Sequence, residues 1–586
     1  MTKKPLLLAL LTTPLAIQAQ SIEPVVISAN QITQSQDEIT ADHYLIDTQT
    51  LKAKHYTSLI DALREVPGIS FTRNGGLGTT TNVYLRGSNN ARLLILLDGV
   101  RLNDPSSSNG ANLASISLAN IERIEVIKGA QSGVWGADAA AGVIHLISKD
   151  SAGQSITLEA GSYGTTRAGF NGQWALGEHK LTLGAEQLNS DGFSAQAPAY
   201  SDIDQYEDDG IEQTTLNAKL DFKIDPEQHL TISHHHTDTL NNYDGYQAPD
   251  SQQRTDSQTA LSSINWHNKH TEIRLEQSDF RSEQLDSPST DLVNGLTQAF
   301  HLKHQVNQLV LGVDYSRNQV QSDKYSWSAG SNIQLEGETT SKGAFASFSH
   351  SLDQWHFNES LRIDDYSNFD SQVTGKLGAK YQIAEEHALS FNIGQAYNAP
   401  SIIQMLNPWG SANFALKPET SIEASLSYQW HGLNASYFDK QVEDLIEWRS
   451  GQYQNINGRT HIKGYELGWQ QQLNTLDYRV SYTHLQTEDA QGKELPRRPQ
   501  DQIGVDLTWF ASHQWDINLN GQYIGERSEG LATQYYAVFN SVVNYQATPK
   551  TRIYLKVDNL FDRYYQVVNG YATAERSAYL GLNYQF

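Results

Sequence analysis

The sequence predicts an all-β transmembrane barrel of about 22 antiparallel strands, with an N-terminal α+β domain inside its lumen. Three observations lead to this prediction. Residues 40–150 contain continuous apolar runs and short helical patterns, which are typical of a compact domain. From about residue 155 the chain changes to alternation of apolar and polar residues. The remaining stretch, 151–586, has room for about 22 strands at roughly 20 residues per strand and connection.

The alternation is clearest in a hairpin that begins near residue 216. Leu216 and Phe222 share one face of its first strand, whereas Asn217 and Lys219 share the other face. A turn follows at 225–228, and apolar residues then return at the even positions. One apolar and one polar face suit lipid outside the barrel and water inside it.

A barrel of this size would leak unless its lumen were filled, and the compact domain directly before it supplies the filler. Residues 93–97 are all Leu or Ile, which predicts a buried strand. Residues 58–66 predict a helix that Ser58 can cap and that Pro67 and Gly68 end. The alternative is a soluble domain beside a smaller porin.

The N-terminus has the features of an export signal. Lys3 and Lys4 precede a short apolar core from Pro5 to Ile17, and Ala19 offers a small residue for cleavage. We therefore expect residues 1–19 to be removed and residues 20–39 to form a binding motif and flexible linker. No later stretch approaches the roughly 20 apolar residues of a membrane helix.

The composition argues against several classes of function. The formal net charge of −24 leaves no basic patch for nucleic acid. The chain contains no cysteine, so it has no disulfide framework and no thiol chemistry. It also lacks a nucleophile elbow, a phosphate loop and a zinc motif, so we expect no catalytic residues and no redox or organic cofactor.

A series of short motifs runs through the chain in a fixed order. They are Glu23–Ala29, Asp61–Leu63, Val66–Ile69, Tyr84–Gly87, Leu97–Val100, Ile121–Gly129, Trp135–Ile144, Asp558–Tyr565 and the terminal Phe586. Together these motifs resemble those of TonB-dependent outer-membrane receptors. The resemblance implies a barrel surrounded by Gram-negative outer-membrane lipid, a plug domain at 40–150, and active transport of a scarce ligand.

The first motif resembles a Ton box, the segment of such receptors that binds the periplasmic protein TonB. Its residues are Pro24, Val25, Val26, Ile27, Ser28 and Ala29. The segment is β-prone, and an extended segment can join a partner's sheet through its backbone hydrogen bonds. The resemblance implies that TonB, energised at the inner membrane, pulls on the plug through this segment.

Residues 74–76, 98–103, 559–562 and 570–574 most resemble the vitamin B12 (cobalamin) receptors of this family. The resemblance implies uptake of a cobalamin-like ligand, and we expect a monomer. Candidate ligand-binding residues lie in plug and barrel loops: Leu77, Thr79, Thr80, Thr81, Ser106, Ser107, Ser108, Asn109, Tyr243 and Tyr246. Small hydroxyl and amide groups suit a neutral, amide-bearing corrinoid, whereas a trianionic ferric siderophore favours Arg and Lys.

Two other functions stay open at this point. The first is TonB-dependent uptake of a ferric siderophore or haem, since the motifs at 397–400 and 416–419 occur across such receptors. The second is a passive porin or adhesin, against which the Ton box and the plug argue.

Acidic residues are expected to meet at the outer rim, because both ends of the hairpin around residues 225–228 lie outside if its short turn faces the periplasm. They are Glu207, Asp208, Asp209, Asp244 and Asp256. Ca²⁺ takes roughly six to eight oxygen ligands. Since cobalamin receptors order these loops with calcium, the resemblance implies a Ca²⁺ site here; a solvated acidic loop is the alternative.

Three consecutive histidines, His234, His235 and His236, do not predict a metal site. Strand alternation points His235 away from the other two, so the three rings cannot converge on one ion. We expect these histidines at an interface or rim. The plug residues Arg86, Asp98, Arg123 and Glu125 are expected to form ion pairs between plug and barrel.

Overall fold

The computed structural model describes residues 26–27, 31, 34–150, 153–196, 203–245, 248–285, 290–326, 330–529 and 535–586. The predicted export signal lies outside these ranges, as do Pro24, Val25, Ser28, Ala29 and Tyr246. The rest of the predicted Ton box forms β1 (Val26–Ile27), which pairs antiparallel with β2 (Gln34–Ser35). In the described part of the chain, no helix is long and apolar enough to cross a membrane.

The N-terminal domain is a mixed plug of two small sheets and short helices. Its elements are β3 (His43–Ile46), α1 (Thr48–Lys54), α2 (Leu59–Leu63), β4 (Ile69–Arg73), β5 (Thr81–Leu85), β6 (Ser88–Asn89), β7 (Leu93–Leu97), β8 (Val100–Arg101), β9 (Ile121–Lys128), α3 (Ser132–Trp135) and β10 (Gly142–Ser148), with 3₁₀ turns at Gln36–Glu38, Asn90–Arg92 and Leu113–Ser115. One sheet has the order β3-β9-β10-β7-β8, and the other has the order β4-β5-β6.

The plug core is apolar and closely packed around α2 and β7. Leu59, Leu63 and Ile95 are fully buried in it. The predicted helix at 58–66 is present but shorter, since the N–H of Val66 donates to the carbonyl of Leu63 in a tight final turn. The Asp61 carboxylate accepts hydrogen bonds from the N–H and hydroxyl of Ser58, at 3.1 and 2.8 Å, which caps the helix as predicted.

In the described residues, 22 antiparallel strands close into a barrel in which each strand pairs with the next and the last pairs with the first. The strands are β11 (Gly153–Gly161), β12 (Thr166–Leu176), β13 (His179–Phe193), β14 (Asp209–Lys223), β15 (His229–Gly245), β16 (Ala248–His267), β17 (Thr271–Leu285), β18 (Thr290–Val306), β19 (Leu309–Ser326), β20 (Ser331–Leu352), β21 (Trp355–Tyr366), β22 (Gln372–Ala384), β23 (His387–Asn398), β24 (Glu419–Trp430), β25 (Leu433–Arg449), β26 (Gln452–Leu473), β27 (Leu476–Glu488), β28 (Asp501–Phe510), β29 (Trp515–Ile524), β30 (Tyr536–Thr548), β31 (Thr551–Asp558) and β32 (Ser577–Gln585), with α4 (Ile402–Leu406) and a 3₁₀ turn at Ile203–Gln205 in the longer connections. The predicted fold class is therefore confirmed.

The alternation in the sequence sets the two faces of the barrel wall. On β14, Leu216 and Phe222 are exposed on the outside, whereas Thr215 is buried against the lumen. The predicted turn is present, and the Asp225 carboxylate accepts the N–H groups of Glu227 and Gln228 at 2.9 Å each. Short turns of this kind lie at one end of the barrel, and we call the other end, with the longer connections, the outer end.

Exposed tryptophans cluster at the short-turn end of the wall. Five of them stand at or near strand ends there: Trp355, Trp430, Trp469, Trp509 and Trp515. An amphipathic ring is most stable where lipid tails meet headgroups. This ring of tryptophans therefore marks the boundary between membrane and water at the short-turn end of the barrel.

Buried ion pairs fasten the plug to one side of the barrel. The Arg86 guanidinium donates to Glu466 on β26 at 3.0 and 3.1 Å, and it also contacts Glu423 on β24. The Lys128 ammonium donates to Glu466 at 2.8 Å, and Arg92 pairs with Glu419 on β24 at 2.5 Å. The prediction that Arg86 forms an ion pair with the barrel is confirmed, whereas Arg123 pairs with Glu125 within the plug at 3.0 Å.

Candidate ligand-binding site

An open cavity of about 390 Å³ lies between the plug loops and the outer half of the barrel. The plug contributes Thr79–Thr81 and Ser106–Asn109, and the loop after α4 contributes Trp409. Strands β14 to β19 supply the facing wall. This volume lies within the roughly 300–1,000 Å³ of ordinary small-molecule pockets, and the cavity is open at the outer end.

The plug loop between β4 and β5 is shaped by its own hydroxyl groups. Thr79 Oγ1 donates to the carbonyl of Gly76 at 2.8 Å, and Thr81 Oγ1 donates to the carbonyl of Thr79 at 2.9 Å. Thr80 is left exposed and faces the cavity. The predicted residues Thr79, Thr80 and Thr81 thus all line the cavity, whereas Leu77 is not among its lining residues.

The second plug loop, 104–109, is held around the Asp104 carboxylate. This carboxylate accepts the N–H of Ser106 at 2.8 Å and its hydroxyl at 2.6 Å. Burial raises the pKa of Asp104 to about 6, although both hydrogen bonds act against that rise. The predicted residues Ser107, Ser108 and Asn109 also line the cavity, so the loop presents hydroxyl, amide and carboxyl groups to a ligand.

The cations that line the cavity are already engaged in the described structure. Lys324 pairs with Asp291 at 2.8 Å and lies 5.4 Å from the centre of the Trp409 ring. Arg281 pairs with Glu283 and follows Phe280, which faces the plug, so its side chain points out of the barrel. The cavity therefore offers neutral polar groups and carboxylates to a ligand, with no cation free to receive an anion in the described residues.

Carboxylates from two barrel hairpins meet at the outer rim, as the sequence predicted. The carboxyl groups of Asp209 and Asp244 lie against each other and close to Glu207. Backbone N–H groups of Ala195 and Gln196 donate to Asp209 and Asp244, at 2.6 and 2.8 Å respectively. No donor reaches Asp244 Oδ1 or either oxygen of Glu207, although all three atoms are buried.

The neighbouring carboxylates affect the pKa of Glu207. Burial, followed by the neighbouring Asp250 and Asp244, raises the pKa of Glu207 to about 7. A group of three or more His, Asp or Glu residues in metal-binding geometry is absent from the described residues. The cluster of Glu207, Asp209 and Asp244 is thus a concentration of negative charge with unused oxygens rather than a finished metal centre.

Asp256 does not join this cluster, and the prediction that it lies there is wrong. It stands directly opposite Leu240 in the β15–β16 ladder. The neighbouring pair Thr239 and Ser257 faces the lumen, and side chains alternate along a strand, so Asp256 points to the outside of the barrel. Asp208 follows Glu207 and is exposed at the rim.

The cavity also contains residues that the sequence did not single out as ligand contacts. Tyr243 lines it as predicted, but so do Asn217, Thr237 and Thr259 on the strands below. His235 lies there as well, on the lumen face, while His234 and His236 stack on the outer face with ring centres 6.3 Å apart. The alternation of polar and apolar residues indicates which face of a strand each residue occupies. It does not show how far into the barrel the cavity extends before the plug fills the lumen.

Two family models match almost the whole described chain. The "TonB-dependent Receptor Plug Domain" matches residues 35–143, and "TonB dependent receptor-like, beta-barrel" matches residues 148–560. Among curated proteins, the chain is similar to the "Vitamin B12 transporter BtuB" of Vibrio cholerae, at 27% identity over 99% of this chain and 98% of that protein. The protein of the same name from Vibrio vulnificus is 28% identical over the same shares.

Solved structures with the same architecture are more distant in sequence. The siderophore receptor PiuA from Acinetobacter baumannii superposes with a TM-score of 0.76 at 15% identity, covering 97% of this chain and 99% of that one. A mutant of the ferric enterobactin receptor PfeA from Pseudomonas aeruginosa gives 0.79 at 17% identity, covering 96% and 100%. At such identities these likenesses show the fold alone. The plugged barrel of 22 strands and the two family matches together place this chain in the family of TonB-dependent receptors, transporters of the outer membrane that act with TonB.

Proposed function

We propose that this receptor takes up cobalamin or a related corrinoid. The observation that carries the proposal is the chemistry of the cavity, whose walls present hydroxyl, amide and carboxyl groups and hold Lys324 in an ion pair with Asp291. The edge of a corrinoid carries neutral amides that pair with such groups. A trianionic ferric siderophore would instead meet Asp104 and Asp244 without a compensating Arg or Lys.

The relatives support the same ligand. Proteins named as vitamin B12 transporters match this chain from end to end. The siderophore receptors share its fold at lower identity, and they carry no information on its ligand. We further propose that the receptor acts as a monomer, since the described strands close into a complete barrel within one chain.

Equilibrium binding to the purified receptor tests this proposal. We expect cyanocobalamin to bind and ferric enterobactin, an anionic complex of similar bulk, to fail to displace it. Binding of ferric enterobactin with no binding of cyanocobalamin, with and without Ca²⁺, would overturn the assignment.

The contribution of Trp409 gives a more local test. Its ring is half exposed at the cavity edge, where a bound ligand would cover it. Trp409→Ala is expected to weaken cyanocobalamin binding about tenfold, which corresponds to ~1.4 kcal/mol of lost contact. Trp448→Ala is the matched control, because Trp448 is similarly exposed but does not line the cavity. Equal losses in both variants, measured by titration, would contradict this role.

We also propose that Ca²⁺ binds at the rim cluster, with Glu207, Asp208, Asp209 and Asp244 as its oxygen ligands. The unpartnered oxygens of Glu207 and Asp244 support this fit, since a cation would supply the positive charge that they lack. Bound Ca²⁺ would hold the β13–β14 and β15–β16 connections together beside the cavity.

Calcium is expected to strengthen cyanocobalamin binding by the wild-type receptor. Asp244→Asn removes a cluster carboxylate and should abolish this gain, because fewer anionic ligands remain for the ion. Asp256→Asn should leave the gain unchanged, since Asp256 points to the other side of the wall. Titrations with Ca²⁺ and with a chelator check both variants; an unchanged calcium effect in Asp244→Asn would refute the site.

A further inference from the structure

The ligand cavity continues towards the short-turn end of the barrel, which we call the lower end, as a narrow crevice between the plug and the barrel wall. Its walls are Ser117 and Asn120 on the plug side and Asn217 and His235 on the barrel side, and all four line the cavity. Asn217 and His235 are direct partners in the β14–β15 ladder, about midway along β14. We call this lower part the β14–β15 crevice.

The β14–β15 crevice is lined by polar groups. Asn120 Oδ1 is buried without a hydrogen-bond partner, and so is Oδ1 of Asn171 on the neighbouring β12. Gly184 on β13 lies close to both amides, since a Cβ there would lie 2.8 Å from Asn171 Oδ1 and 3.5 Å from Asn120 Oδ1. Buried amide oxygens without partners mark space for ordered water, so separating plug from wall here exposes little apolar surface.

A partly hydrated ion pair closes the lower end of the crevice. Lys219 is the next lumen-facing residue after Asn217 on β14, and its ammonium lies 3.4 Å from Asp98 Oδ2 on the plug. Asp98 is held in place by the N–H of Ser148 at 2.9 Å. The side chains of Lys219 and Asp98 are 26% and 25% exposed, so water reaches the contact and weakens it.

The opposite side of the plug is attached far more firmly. Arg86 and Glu466 meet there with side chains only 4% and 7% exposed, and Lys128 joins the same carboxylate. Separating buried charges costs much more free energy than separating a hydrated pair. A pull on the plug therefore opens the Lys219–Asp98 contact long before it breaks the Arg86 cluster.

We propose that the ligand passes inwards along the β14–β15 crevice and that the Lys219–Asp98 pair is the gate at its lower end. The plug stays fastened to β24 and β26 while it moves away from β13 to β15. This inference rests on the proposed uptake function and specifies the path that the ligand follows.

Disulfide tethers test the path, because the chain has no cysteine of its own. Asn120→Cys with Gly184→Cys joins the plug to β13 beside the crevice, since a Cβ at position 184 would lie 3.5 Å from Asn120 Oδ1. The Asn171 amide, 2.8 Å from that Cβ, must shift aside. Ala130→Cys with Gly394→Cys is the matched control on β23, where a Cβ at Gly394 would lie 3.2 Å from that of Ala130. If oxidation does not join the two cysteines of a pair, a short bifunctional thiol-reactive cross-linker joins them instead.

Uptake and surface binding of cyanocobalamin are then measured on the same cells. We expect the crevice tether to abolish uptake while binding continues, a reductant to restore uptake, and the control tether to spare it. Uptake through the closed crevice, or its loss with the control tether, would overturn the proposed path. Absence of binding by the untethered receptor would be a failure of the proposed ligand instead.

Ion conductance tests the gate without any ligand. Lys219→Met in a planar bilayer is expected to raise conductance several-fold above wild type, and the crevice tether should remove the increase. Lys180→Met is the control, since Lys180 forms an exposed pair with Asp150. Conductance of Lys219→Met no higher than that of Lys180→Met would refute the gate.

Discussion

Arg86→Ala is expected to destabilise the plug inside the barrel by about 3–5 kcal/mol, since it breaks a buried ion cluster by removing one partner. Arg86 contacts Asp42 of the plug and both Glu423 and Glu466 of the barrel. Without the guanidinium, three buried carboxylates keep only Lys128 and Lys440 as nearby cations. The cost arises from the carboxylates that stay buried without a partner.

Hydrogen exchange of plug amides in the detergent-solubilised receptor measures this loss. Protection in β5 and β9 is expected to fall sharply in Arg86→Ala. Arg281→Ala is the matched control, because its pair with Glu283 is exposed on the outside of the barrel and is worth about 0–1 kcal/mol. Equal protection in wild type and Arg86→Ala would show that the cluster does not hold the plug.

Ile27→Pro is expected to abolish uptake and to leave ligand binding intact. The Ton-box residues Val26 and Ile27 already adopt strand geometry by pairing with Gln34–Ser35. If TonB adds this segment to its own sheet, each backbone N–H contributes to the contact, and proline removes one and opposes the pairing. The cavity is remote from this change, so the affinity for ligand should not move.

Uptake and binding assays on intact cells separate these two effects. Ile27→Val is the control, since valine keeps the strand preference and the backbone N–H. Uptake by Ile27→Pro at the wild-type level would show that this segment is not where TonB pulls.

The barrel was largely predictable from the sequence because its physics is local. Lipid outside and water inside impose alternation on every strand, so Leu216 and Asn217 reveal their faces without knowledge of the fold. The turn at Asp225 and the helix cap at Ser58 likewise depend only on a few residues that are adjacent in sequence. Strand number followed from chain length, because each strand of a closed barrel uses a similar number of residues.

The site was less predictable for two reasons. A loop does not show which face of the next strand each residue occupies, and the sequence does not show how far the plug fills the lumen. The sequence prediction misplaced Asp256 because the β15–β16 connection does not reveal which residues of β16 face the lumen. The pairing of Asp256 with Leu240 shows that Asp256 points to the outside of the barrel. His235 was assigned to the correct face, but its position in the cavity depends on how the plug fills the lumen. The Lys219–Asp98 contact joins residues 121 positions apart, which no local pattern reveals.

Accumulation of labelled cyanocobalamin tests the central claim most directly, in cells that lack any other cobalamin receptor and that either contain or lack TonB. The account predicts accumulation only when both this receptor and TonB are present, with surface binding in both strains. Accumulation independent of TonB, or TonB-dependent accumulation of ferric enterobactin with none of cyanocobalamin, would contradict it.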